Sequence, residues 1–450
     1  MLTLSTGPAQ SAALKIAGRV AEPTKPLIRW GLGHGLPRAV ISRAARQGEL
    51  QGRLIMSGAQ QGRTDRLAPL FAELHQSGVL VHGKFTSLTG NHRAVNEVLS
   101  SSDFITGLVR ATGSMSRLSD WAATEVFNPL QPPSLLVSEP PDHTRYRKLL
   151  TRVFTMRAVE KLRGRTEQIA AELLDAIDPH TDVDLIEAYC GQLPIVVISE
   201  VLGVPDDMRQ RILELGNEAG ASLDLGLGWG RFRQVERALA QFDDWLTGHI
   251  DAVRRHPGDN LLSQLIRAQD GGAGLTEREL KTTAGLVLAA GFETTVNLLG
   301  NGVVLLSEHP DQLAALRDGR ADWANAVDEV LRLDPPVLLT GRIAIRDTEV
   351  CGHPVRAGRA VTTVLAAANR DPEVFEDPNR FDITRENARD HVSFSAGRHF
   401  CLGAQLARME GEVGLRALFD RFPDLRIEDG ASRRHTRILR GWEHLPARLV

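Results

Sequence analysis

Phe394-Ser395-Ala396-Gly397-Arg398-His399-Phe400-Cys401-Leu402-Gly403 puts one cysteine, two glycines and a histidine into a tight loop, and Ala404-Gln405-Leu406-Ala407-Arg408 continues it as a helix-like run. Such a loop can present a single thiolate to a single metal. A zinc site takes three or four protein ligands, usually with a second cysteine a few residues away. None lies near; the chain's other cysteines are Cys190 and Cys351. One cysteine suits a metal whose remaining positions are filled by something else, and haem iron with a single axial Cys is such a case.

Each part of the loop has a physical task. Gly397 is free to take the positive φ of a tight turn. Cys401 sits just before the helix, where unpaired N–H groups and the positive dipole end favour a thiolate. Gly403, without a Cβ, lets the helix start lie flat against a planar ligand. Phe394 can keep water from the sulfur, and Arg398 and His399 are donors suited to haem carboxylates. A buried structural cysteine in a glycine-rich turn is the plain alternative.

Phe-x-x-Gly-x-His-x-Cys-x-Gly resembles the haem-binding signature of the cytochrome P450 family. The resemblance covers residues 63–450. It implies a mainly α fold with a minor β region (α+β), a triangular helix-rich prism with haem b between a long central helix and the cysteine-loop helix. Cys190 to Pro205, Gly285 to Gly302 and Arg437 to Trp442 look most like mycobacterial members of the family numbered 140. Ser395 departs from the glycine of many bacterial members, at a position where the motif does not strictly require one.

Composition narrows the alternatives. The chain has 450 residues, 24% charged, with a formal net charge of -3. That balance argues against general nucleic-acid binding. Three scattered cysteines make no disulfide framework, so a reducing, cytoplasmic setting is expected. No apolar run is long enough to span a bilayer. The first 48 residues carry seven Lys or Arg against one acid, Glu22. Such a start can be a transit peptide or a surface helix over Ala39 to Leu54, but its prolines and glycines favour a flexible or peripherally packed extension over residues 1–62.

Helical spacing dominates from Asp65 onward. Helices are expected over 142–177, 185–203, 206–218, 230–255, 276–307 and 321–333, with a hairpin over 79–89. Residues 103–134 read as irregular, and strands cluster near 342–352, 359–365 and after 424. Helices early and strands late indicate a single α-rich domain over 63–450.

Ala289-Ala290-Gly291-Phe292-Glu293-Thr294-Thr295 places an acid and hydroxyls inside an apolar helix, where Thr can bond the preceding turn and open a kink. It resembles the family's oxygen-activating segment, which implies that Glu293 and Thr294 pass protons. Glu329 and Arg332 share a helix face. They resemble the family's Glu-x-x-Arg, with Arg380 implied as the third member of a buried charge network. His143 and Arg147, four apart on a helix, can grip carboxylates; the resemblance assigns them to the haem propionates with Arg342 and His399. Arg145, Lys148 and Arg152 form another face, read either as a solvated surface or as a docking patch for an acidic electron donor.

The implied reaction is monooxygenation, one atom of O2 entering a substrate and the other leaving as water. Leu286, Ala289, Ala290, Val337 and Leu338 are the expected pocket lining, which suits a hydrophobic lipid, steroid, terpene or polyketide. No nicotinamide or flavin motif is present, so electrons are expected from separate proteins; the resemblance implies a ferredoxin and ferredoxin reductase, with the enzyme a monomer. The competing classes are a haem-thiolate peroxygenase or isomerase and a non-enzymatic haem sensor.

Overall fold

A single helix, Glu277–Glu308, organises the molecule. Thr276 caps it, its hydroxyl accepting from Glu279 N while the Glu279 side chain accepts from Thr276 N, a reciprocal capping box. It ends at His309, immediately before Pro310, where the ring disfavours helical backbone in the preceding residue. Buried residues lie on nearly all sides of it, as expected of a helix enclosed by others. Helices Gln192–Leu202, Arg209–Gly220, Trp229–Arg255 and Ala404–Arg421 pack around it. The computed structural model describes residues 24–58, 67–84, 86–107, 114–151, 154–269 and 275–449.

The β region is minor, as the sequence implied. Strands β1 (Val81–His82), β2 (Thr86–Thr89), β3 (Phe104–Thr106), β4 (Thr340–Ala344) and β5 (Ala360–Thr363) form one sheet in the order β1-β2-β5-β4-β3. β2 runs parallel to β5, and the other pairs are antiparallel. The register pairs Thr106 with Arg342, which sets the Arg342 guanidinium near the inner end of the sheet. Short two- and three-stranded pieces complete it near the C-terminus.

Two expectations change. The helix expected over 142–177 is two, Asp142–Thr151 and Met156–Asp175; Thr155 caps the second by accepting from Ala158 N, an N-cap that resets the chain direction. The stretch 103–134, read as irregular, contains β3 and a helix, Ser114–Ala122. Within the stretch read as an N-terminal extension, residues 24–46 and 50–58 are helical and packed, with Ala44, Leu54 and Ile55 buried. Among the described residues no helix is long and apolar enough to cross a membrane.

The helix Trp323–Leu333 carries the charge network. Glu329 and Arg332 are fully buried and joined by hydrogen bonds of 2.6 and 2.8 Å. Arg332 also donates to the carbonyls of Asn369, Pro378 and Arg380 at 2.9, 2.8 and 3.0 Å. The third side chain is Arg385 and not Arg380. Arg385 Nε lies 3.3 Å from Glu329 Oε2, while the Arg380 guanidinium is 65% exposed and pairs with Asp382. Arg380 contributes its carbonyl because the meander turns its side chain outward.

Removing one partner from a buried pair leaves an uncompensated charge and costs about 3–5 kcal/mol. Arg332→Ala is expected to lose that much in urea unfolding. Arg385→Ala is expected to cost more than Arg380→Ala, which stays within about 1 kcal/mol as an exposed pair does. Equal losses for the last two would restore Arg380 as the third member.

Candidate active site

The cysteine loop is shaped by two left-handed residues, Ser395 at φ 63 and Gly397 at φ 64. At Gly397 a Cβ would come within 2.6 Å of Leu99 O and Ser100 Cα, so both conformation and space call for glycine. Ser395 takes its conformation without that freedom, and its hydroxyl is buried with no partner. The departure read as harmless from sequence therefore carries strain. Cys401 N donates to Phe394 O at 2.8 Å, closing the loop.

The Cys401 sulfur opens onto the central cavity with protein on all other sides. Burial raises its thiol above the ordinary range, against the Gly403 N–H, Arg147 and Arg408, which favour the thiolate. Desolvation outweighs the helix-start effect that the sequence suggested. Phe394 is buried beneath the loop, with the Arg408 guanidinium 4.6 Å from its ring centre. Arg408 is held by Asp328 at 2.6 Å, and Asp328 also meets His391 at 3.2 Å. This brace escaped the sequence reading because Asp328 lies eighty positions from Arg408.

Four donors line the same cavity as the sulfur: His143, Arg147, Arg342 and His399. The His143 and His399 rings lie 4.3 Å apart, and the buried Nε2 of each has no hydrogen-bond partner, that of His399 lying 3.6 Å from Glu139 Oε1. Burial, then the neighbouring His143 and Arg342, push His399 down to about 4. Burial likewise lowers His143 and Arg147, and brings Arg342 to about 10. Arg398 does not join them: it pairs with Glu139 at 3.0 Å and donates to Ser101 O. Glu139 is itself bound by Thr106 N at 2.7 Å. Despite burial, which raises it, the Thr106 N–H, His399 and Arg398 hold Glu139 below the usual range. Two desolvated guanidiniums and two imidazoles with free Nε2 atoms, facing a cavity beside one open thiol, fit a haem whose two carboxylates they would bind.

The opposite wall is the central helix, which is unbroken where a kink was expected. Thr294 Oγ1 donates to Ala290 O at 3.1 Å within that helix. Glu293 is buried; its Oε1 accepts from Arg434 at 3.2 Å and its Oε2 has no partner. Burial raises its carboxyl above the usual range, with Arg434 opposing. A Cβ on Gly220 would sit 1.4 Å from Glu293 Oε2, so the neighbouring helix reserves this space. Glu293 and Thr294 both line the cavity.

The cavity measures about 1670 Å³. Leu286, Ala289, Ala290 and Val337 line it as expected, and Leu338 does not. Val337 bridges to Leu439, and side chains alternate along this extended stretch. Val337 and Leu339 thus face the cavity, while Leu338 packs with Leu67, Leu70 and Leu74 under the sheet. The N-terminal residues Leu36, Val40 and Ile41, missed from sequence, line the outer part. Arg145 is committed within the fold: it donates to Glu279, which it holds down to about 2. Lys148 remains exposed, and Arg152 lies outside the described residues.

Comparison with known proteins establishes the family. Residues 324–433 match the family described as Cytochrome P450. A cytochrome P450 140 of Mycobacterium tuberculosis H37Rv is 49% identical over 94% of this chain and 98% of its own length. The 6-deoxyerythronolide B hydroxylase of Saccharopolyspora erythraea is 43% identical over 69% of this chain and 77% of its own. The crystal structure of Mycobacterium smegmatis CYP164A2 in its ligand-free state superposes with a TM-score of 0.78 at 33% identity, covering 90% of this chain and 100% of that one. The chain belongs to the cytochrome P450 family. It is a monooxygenase of that family, with the haem-thiolate cofactor and use of O2 that the family implies.

A residue in the left-handed region costs roughly 1–2 kcal/mol relative to glycine, offset in part by glycine's greater freedom when unfolded. Ser395→Gly is expected to stabilise the holoprotein, raising its denaturation midpoint; a lowered midpoint would show that the Ser395 hydroxyl holds the loop.

Proposed function

We propose that this enzyme hydroxylates a large, mostly apolar molecule, using electrons from a ferredoxin served by a ferredoxin reductase. The cavity carries this reading. Ordinary ligand pockets are roughly 300–1,000 Å³, and this one reaches about 1670 Å³ with space for a planar cofactor and a bulky substrate together. Aliphatic side chains from the central helix and the 337–339 stretch favour a lipid, steroid, terpene or polyketide over a polar metabolite. Hydroxylation is the reaction named for the Saccharopolyspora erythraea relative.

The group we assign is haem b. Cys190 is buried in the core and Cys351 lies on the surface β region, and no C-x-x-C-H run offers covalent attachment. Cys401 would hold its iron, and His143, Arg147, Arg342 and His399 would hold its carboxylates. Once bound it supplies dioxygen activation, which thiolate donation favours.

The chain's own part is positioning and proton supply. The Thr294 hydroxyl spends its proton on Ala290 O and keeps its lone pairs to accept from water or substrate. Glu293, anchored on one oxygen by Arg434, has the other free to exchange a proton. Apolar walls exclude bulk water around both. A peroxygenase, isomerase or sensor needs no such pair, which is why the monooxygenase cycle with external electrons is the better reading. For the donor we assign the surface bearing Lys148, since Arg145 is tied to Glu279. The monomer acts in the cytoplasm on this reading.

Thr294→Ala should raise the electrons consumed per product severalfold, with peroxide as the by-product; unchanged coupling would count against the hydroxyl's role. In the carbon-monoxide difference spectrum the reduced protein should give the thiolate band, lost in Cys401→Ser. Spin-state titrations should give tighter binding for large apolar compounds than for small ones, and a preference for small polar ligands would sink the substrate class. Lys148→Glu should slow reduction by ferredoxin at low salt, where charge steering is strongest.

A further inference from the structure

The basic start of the chain finds no use in the chemistry above. Residues 24–46 contain five Lys or Arg and no Asp or Glu. They form one helical run: residues 24–30, a wider turn at Gly31–Gly35, and Leu36–Arg46. Val40, Ile41 and Ala44 line the cavity on its inner face and Leu36 at its open edge, 53% exposed, while Arg38, Arg43 and Arg46 are exposed on the outside. The cavity's mouth is thus walled by a helix that is apolar inward and cationic outward.

The run is locked to its neighbours. Arg29 donates to Ala122 O at 2.7 Å and pairs with Glu236 at 2.6 Å. The Lys25 ammonium lies 5.6 Å above the Trp121 ring, and Trp30 meets Trp229 edge-on at 5.7 Å. These contacts gather the run, the helix Ser114–Ala122 and the start of the helix Trp229–Arg255 at one rim. Large apolar side chains stand out from that rim: Leu27 at 51% exposed, Trp121 at 45%, Leu118 at 41%, with Met115 and Trp229 beside them. Monomer surfaces seldom gather so many. The acids nearby are few. Glu236 is neutralised by Arg29 and Arg233, leaving Asp120, Glu125 and Glu49.

We propose that this rim docks on an anionic lipid bilayer, with the cavity mouth facing the membrane. Leu, Met and Trp side chains flanked by Lys and Arg are the composition that seats a helix in the headgroup region, apolar groups in the acyl boundary and cations on the acidic headgroups. An acidic protein would match the charge but leave the projecting Leu27, Leu118 and Trp121 without apolar cover. The binding is peripheral and reversible. An apolar substrate dissolved in the bilayer then enters the cavity without crossing water. The surface claim stands apart from the hydroxylation proposed above, because it is tested with no substrate.

The test uses the full-length holoenzyme and phosphatidylcholine vesicles made with or without phosphatidylglycerol. The expected result is co-sedimentation with the anionic vesicles, weakening as salt is raised, and little with the neutral ones. Arg43→Glu/Arg46→Glu should weaken binding by at least about tenfold, at about 1 kcal/mol for each basic residue near the surface. Leu27→Asp/Leu118→Asp/Trp121→Asp should abolish it. None of the five lines the cavity, so variants that keep the thiolate carbon-monoxide band also report that folding is intact. Absence of binding to either vesicle overturns the proposal, as does binding that both variants leave unchanged. Self-association removed by the apolar variant, without vesicle binding, would reassign the rim to a second copy of the chain.

Discussion

Arg332 is the side chain on which the proximal half of the molecule hangs. From full burial it reaches three backbone carbonyls of a meander that has almost no regular structure of its own. One of them belongs to Asn369, whose side chain accepts from Val392 N at 2.7 Å and donates to Ser393 Oγ at 2.7 Å. Phe394 and the cysteine loop follow directly. A guanidinium is suited to this because its five donors lie in one rigid plane, so several acceptors can be fixed at once. Glu329 supplies the compensating charge, and Arg385 and the Asp382 N–H complete the carboxylate's partners. Glu329 offsets the charge of Arg332 and every N–H of that guanidinium is bonded, the condition under which a buried pair is tolerable.

The opposite condition holds on the cavity side. His143, Arg147, Arg342 and His399 are desolvated together; Arg147 further lowers the proton affinity of His143, and His143 and Arg342 that of His399. Apolar packing alone would not keep four such groups around one space, and two imidazole nitrogens there are left without hydrogen-bond partners. The surrounding fold enforces the arrangement: the sheet register positions Arg342, and a helix opening after the Pro140-Pro141 bond positions His143 and Arg147. Polar groups left unsatisfied in a well-satisfied protein mark a place shaped for a ligand, here a dianionic one.

Much of this was legible in the sequence for a physical reason. Cys401, Gly397 and Phe394 do their work within one short loop, so their spacing carries the geometry. Glu293 and Thr294 stand out because polar residues are rare inside an apolar helix. Readings that depended on distant partners fared less well. Arg385 displaced Arg380 through the turn of the meander, Arg398 found Glu139 across the chain, and Leu338 lost the cavity to Leu339 through strand alternation. Ser395 shows a further limit: a one-letter departure from glycine looks neutral until its φ is known.

The division of labour follows from where these errors fell. The helix Glu277–Glu308 and the cysteine loop meet the cavity with short-range motifs, and they define the chemistry. The outer wall is assembled from the 24–46 run, the helix Ser114–Ala122 and the start of Trp229–Arg255, none of which carries a motif. Contacts such as Trp30 Nε1 to Leu227 O at 2.9 Å join segments nearly two hundred residues apart. A wall built that way can be recut by substitutions that leave Cys401, Arg332 and the donors untouched. On the proposed function, substrate choice is therefore a property of the wall, and the reaction a property of the loop.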